Sequence, residues 1–282
     1  MRYGLTIFLT DQTIDAVTLA RSGEERGFNS LWLPEHTHIP TSRRTPAPTG
    51  EPLAEEYRRS LDPFVALSAA AAVTTRLTVG TGIALVAQRE PIVTAKAAAT
   101  LDWQSGGRLW LGVGYGWNVD EMEDHGVVPS TRRARAREHI LAMRSLWEDE
   151  VASFAGEFVN FPETWSWPKP RQRPLPILVG GAASTALFSH VAEFAQGWIP
   201  IGGAGLTDSI SRLRDAVAAT GRDPSDLEII AFGSLPDHGK LDHFQEIGVT
   251  ECVFRLPTDA EPEVMKRLDR YSELIDERQA GG

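Results

Sequence analysis

The chain has 282 residues, of which 42% are hydrophobic and 23% charged, and its formal net charge is −10. This acidic balance argues against a nucleic-acid partner, which normally meets a basic surface. No apolar run approaches the length of about 18 residues that a membrane-spanning helix needs. The only cysteine, Cys252, lies in the apolar run 251–254 and is predicted to be a packed strand residue. One cysteine forms no internal disulfide, and we expect a cytoplasmic protein.

Short apolar runs alternate with amphipathic stretches along the whole chain. The runs predict eight strands, at 2–9, 29–33, 77–83, 108–113, 175–179, 196–200, 227–232 and 250–255. The stretches predict helices at 13–26, 62–74, 91–104, 118–124, 131–148, 182–194, 207–220, 237–246 and 260–277. This succession favours parallel strands joined by right-handed crossovers. Eight such units close into an α/β fold of the (β/α)8 TIM barrel type.

Two long segments, 37–61 and 150–174, interrupt this alternation and are rich in polar residues, proline or tryptophan. We interpret them as loop insertions at the C-terminal rim of one barrel domain, where they would shape the pocket for a small-molecule substrate. An open, doubly wound sheet is the alternative fold, but the first turn lacks the dinucleotide-binding fingerprint. Within helix 207–220, Thr207 is the predicted N-cap.

Glycine is concentrated where the strands are predicted to end. These rim glycines are Gly80, Gly82, Gly112, Gly114, Gly116, Gly180, Gly181, Gly202 and Gly203. Repeated glycine at strand ends indicates either tight turns or the close approach of a bulky ligand to the backbone. With a helix predicted to start at Ala182, the Gly180-Gly181 pair would present free backbone N–H groups suited to a phosphate.

The pair Glu35-His36, directly after the second strand, is the sharpest chemical signal. An imidazole that titrates near neutral pH can move protons, and an adjacent carboxylate can orient a ring or a ligand. A surface or capping histidine is the alternative interpretation of His36. Together with His38 it could also begin the metal site of a barrel hydrolase, but later strand ends supply no further ligands, and we expect no metal.

Several motifs stand in a fixed order on these elements. They are Trp32-Leu-Pro-Glu-His36, Gly80-Thr-Gly-Ile83, Gly106-Gly-Arg108, Gly112-Val-Gly-Tyr-Gly-Trp-Asn118, Ser166-Trp-Pro-Lys-Pro170 and Pro176-Ile-Leu-Val-Gly-Gly181. In this order they resemble the bacterial luciferase-like family, and within it the branch that uses the deazaflavin coenzyme F420. The resemblance runs from the first strand to about Gly221.

The resemblance implies a homodimer of barrels that holds coenzyme F420 across the rim, with FMN in a monooxygenase as the alternative. It places Glu35 and His36, as catalytic residues, beside the reactive centre of the ring, above a cis peptide bond at Gly82–Ile83. The residues that would contact the cofactor are Thr81, Gly82, Ile83, Gly114, Tyr115, Gly116 and Asp120, with Gly180, Gly181 and Ala182 around its phosphate. The implied activity is hydride transfer between the deazaflavin and a small organic substrate.

The chain departs from the sugar-phosphate dehydrogenases that this family contains. Those enzymes carry a catalytic glutamate at the place of Trp117, and the basic cluster that grips a sugar phosphate is not recognisable here. The resemblance therefore argues against glucose 6-phosphate as the substrate. A cofactor-binding protein without turnover stays open as a further class.

Overall fold

The computed structural model describes residues 1–48, 50, 52–201 and 205–280, and shows that eight parallel strands close into a barrel in the order β1-β10-β9-β8-β7-β4-β3-β2. Two more strands, β5 and β6, form a separate antiparallel hairpin. In chain order the strands are β1 (Arg2–Thr6), β2 (Ser30–Leu33), β3 (Thr78–Thr81), β4 (Leu109–Val113), β5 (Ala152–Ala155), β6 (Asn160–Thr164), β7 (Ile177–Gly181), β8 (Gly197–Pro200), β9 (Glu228–Ser234) and β10 (Glu251–Arg255). The predicted (β/α)8 barrel is confirmed.

Helices connect the barrel strands. They are α1 (Ala16–Glu25), α2 (Glu56–Arg59), α3 (Pro63–Ala72), α4 (Pro91–Ser105), α5 (Val119–Asp124), α6 (Arg132–Glu148), α7 (Thr185–Phe194), α8 (Leu206–Ala218), α9 (His238–Glu246) and α10 (Glu261–Ala280). Several begin where the sequence supplies a cap. The Asp15 carboxylate accepts from two backbone amides of α1. Asp62, ahead of Pro63, accepts from one amide of α3, and Glu90, ahead of Pro91, accepts from two amides of α4.

Three predicted helix starts are wrong. The first helix begins at Ala16 rather than at residue 13, because the Asp15 side chain caps it. The helix after β7 begins at Thr185 rather than at Ala182, because the Ser184 hydroxyl accepts from an amide in its first turn. The helix after β8 begins at Leu206, and Gly205 precedes it with φ at 67°, so Thr207 lies inside the helix and is not its cap. Gly202 and Gly203, two of the predicted rim glycines, lie outside the described residues.

The two insertions carry secondary structure of their own. Segment 37–61 contains the short helix α2, and segment 150–174 contains the β5–β6 hairpin, which the sequence did not predict. The Glu138 carboxylate on α6 accepts hydrogen bonds from the backbone amides of residues 157–159, at 2.5–3.0 Å. This tertiary contact holds the tip of the hairpin against the barrel.

Side chains from the strands fill the barrel. Its interior cluster consists of Trp32, Leu178, Ile199, Ile230 and Val253, with Ile83, Trp110 and Phe232 packed against it. At the N-terminal ends of the strands, the buried Glu251 carboxylate accepts from Trp32 Nε1 at 3.0 Å and from Arg2 Nε at 3.2 Å. Cys252 is fully buried on β10, as predicted, and burial raises the pKa of its thiol to about 12.

The rim glycines have a packing reason. A Cβ at Gly80 would overlap the Trp32 ring, and one at Gly82 would overlap the ring of Phe232. These large side chains need the space, and a bulkier residue at either position would push them out of the barrel interior. The structure therefore adds a third cause of the glycine pattern to the tight turns and ligand approach that the sequence suggested.

Candidate active site

Four of the predicted site segments follow neighbouring strands. In the barrel, β2, β3, β4 and β7 lie side by side, so Glu35-His36, Gly82-Ile83, Gly114–Trp117 and Gly180–Ala182 leave the rim next to one another. Neighbouring strands are spaced about 4.8 Å apart, so the four exits span one side of the barrel mouth. The Gly82–Ile83 peptide bond is cis, as the resemblance implies.

The side chain of Ile83 links three of these exits. A Cβ at Gly114 would overlap Ile83, and one at Gly180 would come within 2.7 Å of its Cγ2 atom. Glycine at both positions therefore lets the side chain lie across the ends of β4 and β7. Thr81 is fully buried just before this turn, and its hydroxyl donates to the carbonyl of Gly112 at 2.7 Å, which ties β3 to β4.

His36 is a buried residue rather than a surface one. Its Nδ1 lies 2.7 Å from Oε2 of Glu121, a fully buried carboxylate on α5. Because a carboxylate only accepts, Nδ1 is the donor in this bond, and Nε2 is the nitrogen left to exchange a proton with a ligand. The other Glu121 oxygen accepts from the backbone amide of Thr37 at 3.0 Å.

Two aromatic side chains surround the imidazole. The ring centroid of His36 lies 5.3 Å from that of Tyr57 on α2 and 5.6 Å from that of Trp117 after β4. Tyr57 and Trp117 meet edge to face, with their centroids 6.0 Å apart. These rings provide flat apolar surface beside a proton-carrying group, which suits a planar ligand.

Glu35 lies next to His36 in sequence but makes different contacts. Its buried carboxylate accepts from the backbone amide of Leu85 at 2.7 Å and from Arg89 Nε at 2.6 Å, and Arg89 also pairs with Asp62. Burial opposes the charge on Arg89, but the two carboxylates raise the pKa of its guanidinium overall. These contacts fix the position of segment 83–89, which follows β3. A direct contact of Glu35 with the cofactor stays a prediction.

Asp120 is also engaged by the protein itself. Its buried carboxylate accepts from the Ser42 hydroxyl at 3.0 Å and from the backbone amide of Arg44 at 2.9 Å, and it pairs with the Arg44 guanidinium. It therefore fastens insertion 37–61 to α5. These bonds do not test the predicted contact of Asp120 with the cofactor, which stays a prediction.

Tyr115 connects the end of β4 to α7. Its hydroxyl lies 2.7 Å from Nδ1 of His190, and the guanidinium carbon of Arg133 lies 5.3 Å from the ring centroid. Burial raises the pKa of the Tyr115 phenol to about 12, although Arg133 opposes this, so the phenol stays neutral. Burial lowers the pKa of His190, because it disfavours the charged imidazole. Gly116 follows with φ at 76°, a conformation that favours glycine.

The predicted phosphate cradle lies just ahead of α7. Gly181 has φ at 153°, and Ala182 and Ala183 are exposed between β7 and the capping residue Ser184. Exposed backbone before a helix N-terminus presents N–H groups and the positive end of the helix dipole to solvent. The segment therefore fits a phosphate, although the helix starts three residues later than the sequence predicts.

Two other observations bear on ligand class. Over the described part of the chain, no group of three or more His, Cys, Asp or Glu side chains is arranged to hold a metal ion. His38, considered above as a metal ligand, lies with Nε2 3.0 Å from a carboxylate oxygen of Asp124. Within the same residues, none of the helices has both the length and the apolar character needed to cross a membrane.

Sequence reasoning missed two residues of the site. Glu121 directly follows Asp120, which was predicted to contact the cofactor. Its position shortly after β4 could have marked Glu121 as a site residue, but no local sequence pattern pairs it with His36. Tyr57 lies in insertion 37–61, and the path of this insertion over the barrel cannot be predicted from its sequence. Both reach the imidazole only through tertiary contacts.

The fold and the site together define a (β/α)8 barrel with a buried carboxylate–imidazole pair at its C-terminal rim. The sequence profile described as luciferase-like monooxygenase matches residues 9–235, and the chain belongs to this family. It is 42% identical over 276 residues to an uncharacterized protein of Mycobacterium tuberculosis, covering 96% of this chain and 98% of that protein.

Two further similarities involve proteins named for coenzyme F420. The chain is 29% identical over 210 residues to the F420-dependent glucose-6-phosphate dehydrogenase of Kineococcus radiotolerans, covering 72% of this chain and 58% of that enzyme. The solved structure of an F420-dependent secondary alcohol dehydrogenase with an F420–acetone adduct superposes with a TM-score of 0.77 at 18% identity. That superposition covers 97% of this chain and 98% of the other, and it shows a shared fold.

Proposed function

We propose that this protein is an F420-dependent oxidoreductase that transfers a hydride between the deazaflavin and a small organic substrate. The observation that carries the proposal is the buried His36–Glu121 pair, flanked by aromatic rings, on the same side of the barrel mouth as the Gly181–Ser184 segment, in which Ala182 and Ala183 are exposed. A planar redox cofactor with a phosphate-bearing side chain matches both features. The similarity to an F420-dependent dehydrogenase supports this choice.

When bound, the deazaflavin supplies the two-electron hydride chemistry, and the protein supplies binding, orientation and proton transfer. Backbone N–H groups of Gly180, Gly181 and Ala182 would hold the phosphate. The rings of Tyr57 and Trp117 would pack against the planar cofactor or its substrate and keep water from the reacting atoms.

His36 is the proposed acid–base residue. Because Nδ1 is held by Glu121, Nε2 gives a proton to the substrate when the substrate is reduced, or takes one when it is oxidised. Glu35 acts differently in this proposal. Glu35 holds the segment after the Gly82–Ile83 bond through its contacts with Leu85 and Arg89. In this proposal the cofactor ring would lie on the Gly82–Ile83 turn.

The test is a fluorescence titration of the purified protein with F420 and, separately, with FMN. The proposal expects saturable F420 binding at micromolar concentration and weak or undetectable binding of FMN. His36→Gln is expected to keep F420 affinity within about twofold and to lower turnover on the order of 100-fold or more. Binding of FMN alone, or full turnover by His36→Gln, contradicts the proposal.

A flavin-dependent monooxygenase is the second candidate, favoured by the description of the matching family. The same aromatic walls and phosphate segment accommodate FMN. This candidate predicts oxygen consumption when a separate reductase supplies reduced FMN. The F420 enzyme predicts none with F420, so an oxygen electrode separates the two.

We further propose that the protein works as a homodimer through the outer faces of α3 and α4. These adjacent helices expose Val65, Ile92 and Val93, of which Val65 is 72% and Val93 66% exposed. Large apolar side chains exposed on neighbouring helices are typical of a subunit interface. Light scattering is expected to give a dimer mass, and Val65→Lys with Val93→Lys is expected to give a monomer. A monomeric parent protein overturns this proposal.

A further inference from the structure

A chain of hydrogen bonds runs from buried His36 to the protein surface. His36 Nδ1 bonds one oxygen of Glu121, and the other oxygen accepts from the Thr37 hydroxyl at 3.3 Å. The same hydroxyl lies 2.7 Å from Nε2 of His125 and 2.9 Å from Nδ1 of His38. Each consecutive pair in this chain can pass a proton.

The chain of bonds leads from buried groups to exposed ones. Glu121 is fully buried, whereas Thr37 is exposed and the His38 side chain is 41% exposed. His38 Nε2 in turn lies 3.0 Å from Asp124, whose side chain is 59% exposed. Thr37 and the outer imidazoles can therefore exchange protons with water directly, whereas the Glu121 carboxylate and the His36 Nδ1 atom bonded to it cannot.

The Thr37 hydroxyl has one proton and three partners, Glu121, His38 and His125. Asp124 only accepts, so a neutral His38 carries its proton on Nε2 and offers Nδ1 as an acceptor to Thr37. The hydroxyl can donate to Glu121 or to an outer imidazole, but to only one of them at a time. Rotation about its Cβ–Oγ1 bond moves the proton between the buried and the exposed half of the chain.

We infer that Glu121, Thr37 and the pair His38–His125 form a proton relay between His36 and bulk solvent. This inference rests on the proposed role of His36. While a ligand covers Nε2, a proton accepted there is balanced by loss of the Nδ1 proton to Glu121, and Thr37 and the outer imidazoles pass that proton to water. When substrate is reduced, the same steps run in reverse. After an oxidation, once the ligand leaves, Nε2 gives its proton to water and Nδ1 regains one from water through Thr37 and Glu121.

Other titratable groups lie close to the relay. Tyr57 packs on the His36 ring, and the rings of His38 and His125 lie with their centroids 5.5 Å apart. Both outer imidazoles also lie within hydrogen-bond reach of the Thr37 hydroxyl, so either can exchange a proton with it.

Thr37→Val tests the relay, with Thr37→Ser as the matched control. Valine has nearly the shape of threonine but no hydroxyl, and it keeps the backbone amide that donates to Glu121 at 3.0 Å. The Glu121–His36 bond is therefore preserved while the path beyond it is cut. Serine restores the hydroxyl.

The first readout needs no cofactor. In protein labelled with 15N-histidine, exchange of the His36 Nδ1 proton with water is expected to slow on the order of tenfold in Thr37→Val and to stay unchanged in Thr37→Ser. His36→Gln assigns the signal. Equal exchange rates in parent and Thr37→Val protein overturn the relay.

The second readout uses protein loaded with F420. Thr37→Val is expected to keep F420 affinity within about twofold and to lower turnover on the order of tenfold, with Thr37→Ser restoring it. The double variant His38→Gln, His125→Gln is expected to lower turnover similarly. Failure to bind F420 would count against the proposed function alone, whereas unchanged exchange and turnover in Thr37→Val count against the relay.

Discussion

The Nδ1 atom of His36 and the Oε2 atom of Glu121 lie 2.7 Å apart although 85 positions separate the two residues in the chain. They meet because β2 and β4 both end at the same rim, one with His36 directly after it and the other followed by α5. The barrel thereby brings together an imidazole and a carboxylate that neither local segment could pair. Most properties that we predict for the site depend on this contact.

Glu121→Gln is expected to reduce turnover more than binding. The amide oxygen can still accept a hydrogen bond from Nδ1, but an amide cannot take up that proton as a carboxylate can. We expect turnover to fall on the order of 100-fold and F420 affinity to stay within about twofold. Steady-state rates and a fluorescence titration with F420 measure the two.

Glu123→Gln is the control for this experiment, because Glu123 lies on the same helix but is exposed and pairs with Arg44. It is expected to leave turnover unchanged. If Glu121→Gln also leaves turnover unchanged, the carboxylate does not act on His36.

Glu35→Gln is expected to destabilise the fold. The substitution leaves the Arg89 guanidinium, which is largely buried, with Asp62 as its one remaining carboxylate. Breaking a buried ion pair by removing one partner costs roughly 3 kcal/mol. Urea unfolding is expected to show a loss of this size. Glu148→Gln, which breaks the exposed Arg144–Glu148 pair, is expected to cost less than about 1 kcal/mol.

Equal losses in Glu35→Gln and Glu148→Gln would contradict the structural role assigned to Glu35. A large loss of turnover in Glu35→Gln at unchanged stability would instead support a direct contact between Glu35 and the cofactor.

How far the sequence predicted this structure depends on how local each cause is. The eight barrel strands and the order of the helices followed from apolar periodicity and caps within single segments. The β5–β6 hairpin did not, because Glu138 on another element holds its tip. The glycine pattern was located correctly, but part of its cause, the bulk of Trp32 and Phe232 inside the barrel, is visible only in three dimensions.

The same distinction applies to the site. His36 was identified from its place after a strand, because a strand end at the barrel rim is a local property. Its partner Glu121 and its neighbour Tyr57 come from a different strand end and from insertion 37–61. Loops of that length take their course from tertiary contacts such as Asp120 with Ser42 and Arg44, which no local pattern encodes.

Acid is expected to destabilise the fold through His139. This residue is fully buried on α6, its Nδ1 lies 2.9 Å from the carbonyl of Val86, and burial lowers its pKa below the ordinary value of 6.5. Near pH 6.5 and below, the unfolded chain therefore binds a proton that the folded protein does not. Stability contributed by neutral His139 is complete above pH 6.5 and falls as the pH drops towards the lowered pKa of the folded state.

Urea unfolding at pH 7.5 and at pH 5.5 measures this effect. His139→Gln is expected to flatten the slope of unfolding free energy against pH by up to about 1.4 kcal/mol per pH unit. His243→Gln, at an exposed position on α9, is the control and is expected to leave the slope unchanged. An unchanged slope in His139→Gln would show that this imidazole does not drive the acid sensitivity.

Trp117 is expected to contribute to cofactor affinity through its ring rather than through any polar group. It stands edge to face with His36 and Tyr57, so removing it opens one wall of the proposed ring site. An aromatic contact of this kind is worth about 0.5–1.5 kcal/mol, which corresponds to roughly a twofold to tenfold weaker F420 affinity in Trp117→Ala. Trp117→Phe keeps an aromatic face and is expected to bind nearly as well as the parent protein.

Fluorescence titration with F420 measures the affinities, and Trp165→Ala is the matched control, because Trp165 is 76% exposed in insertion 150–174. Trp117→Glu makes the comparison sharper. It places a carboxylate where the sugar-phosphate dehydrogenases of this family carry their catalytic acid. The contacts of Trp117 described above include no lysine or arginine that could pair with the new charge. We therefore expect weaker binding and no gain of activity on glucose 6-phosphate. Equal F420 affinity in Trp117→Ala and Trp165→Ala would place the deazaflavin ring away from the His36–Tyr57–Trp117 cluster.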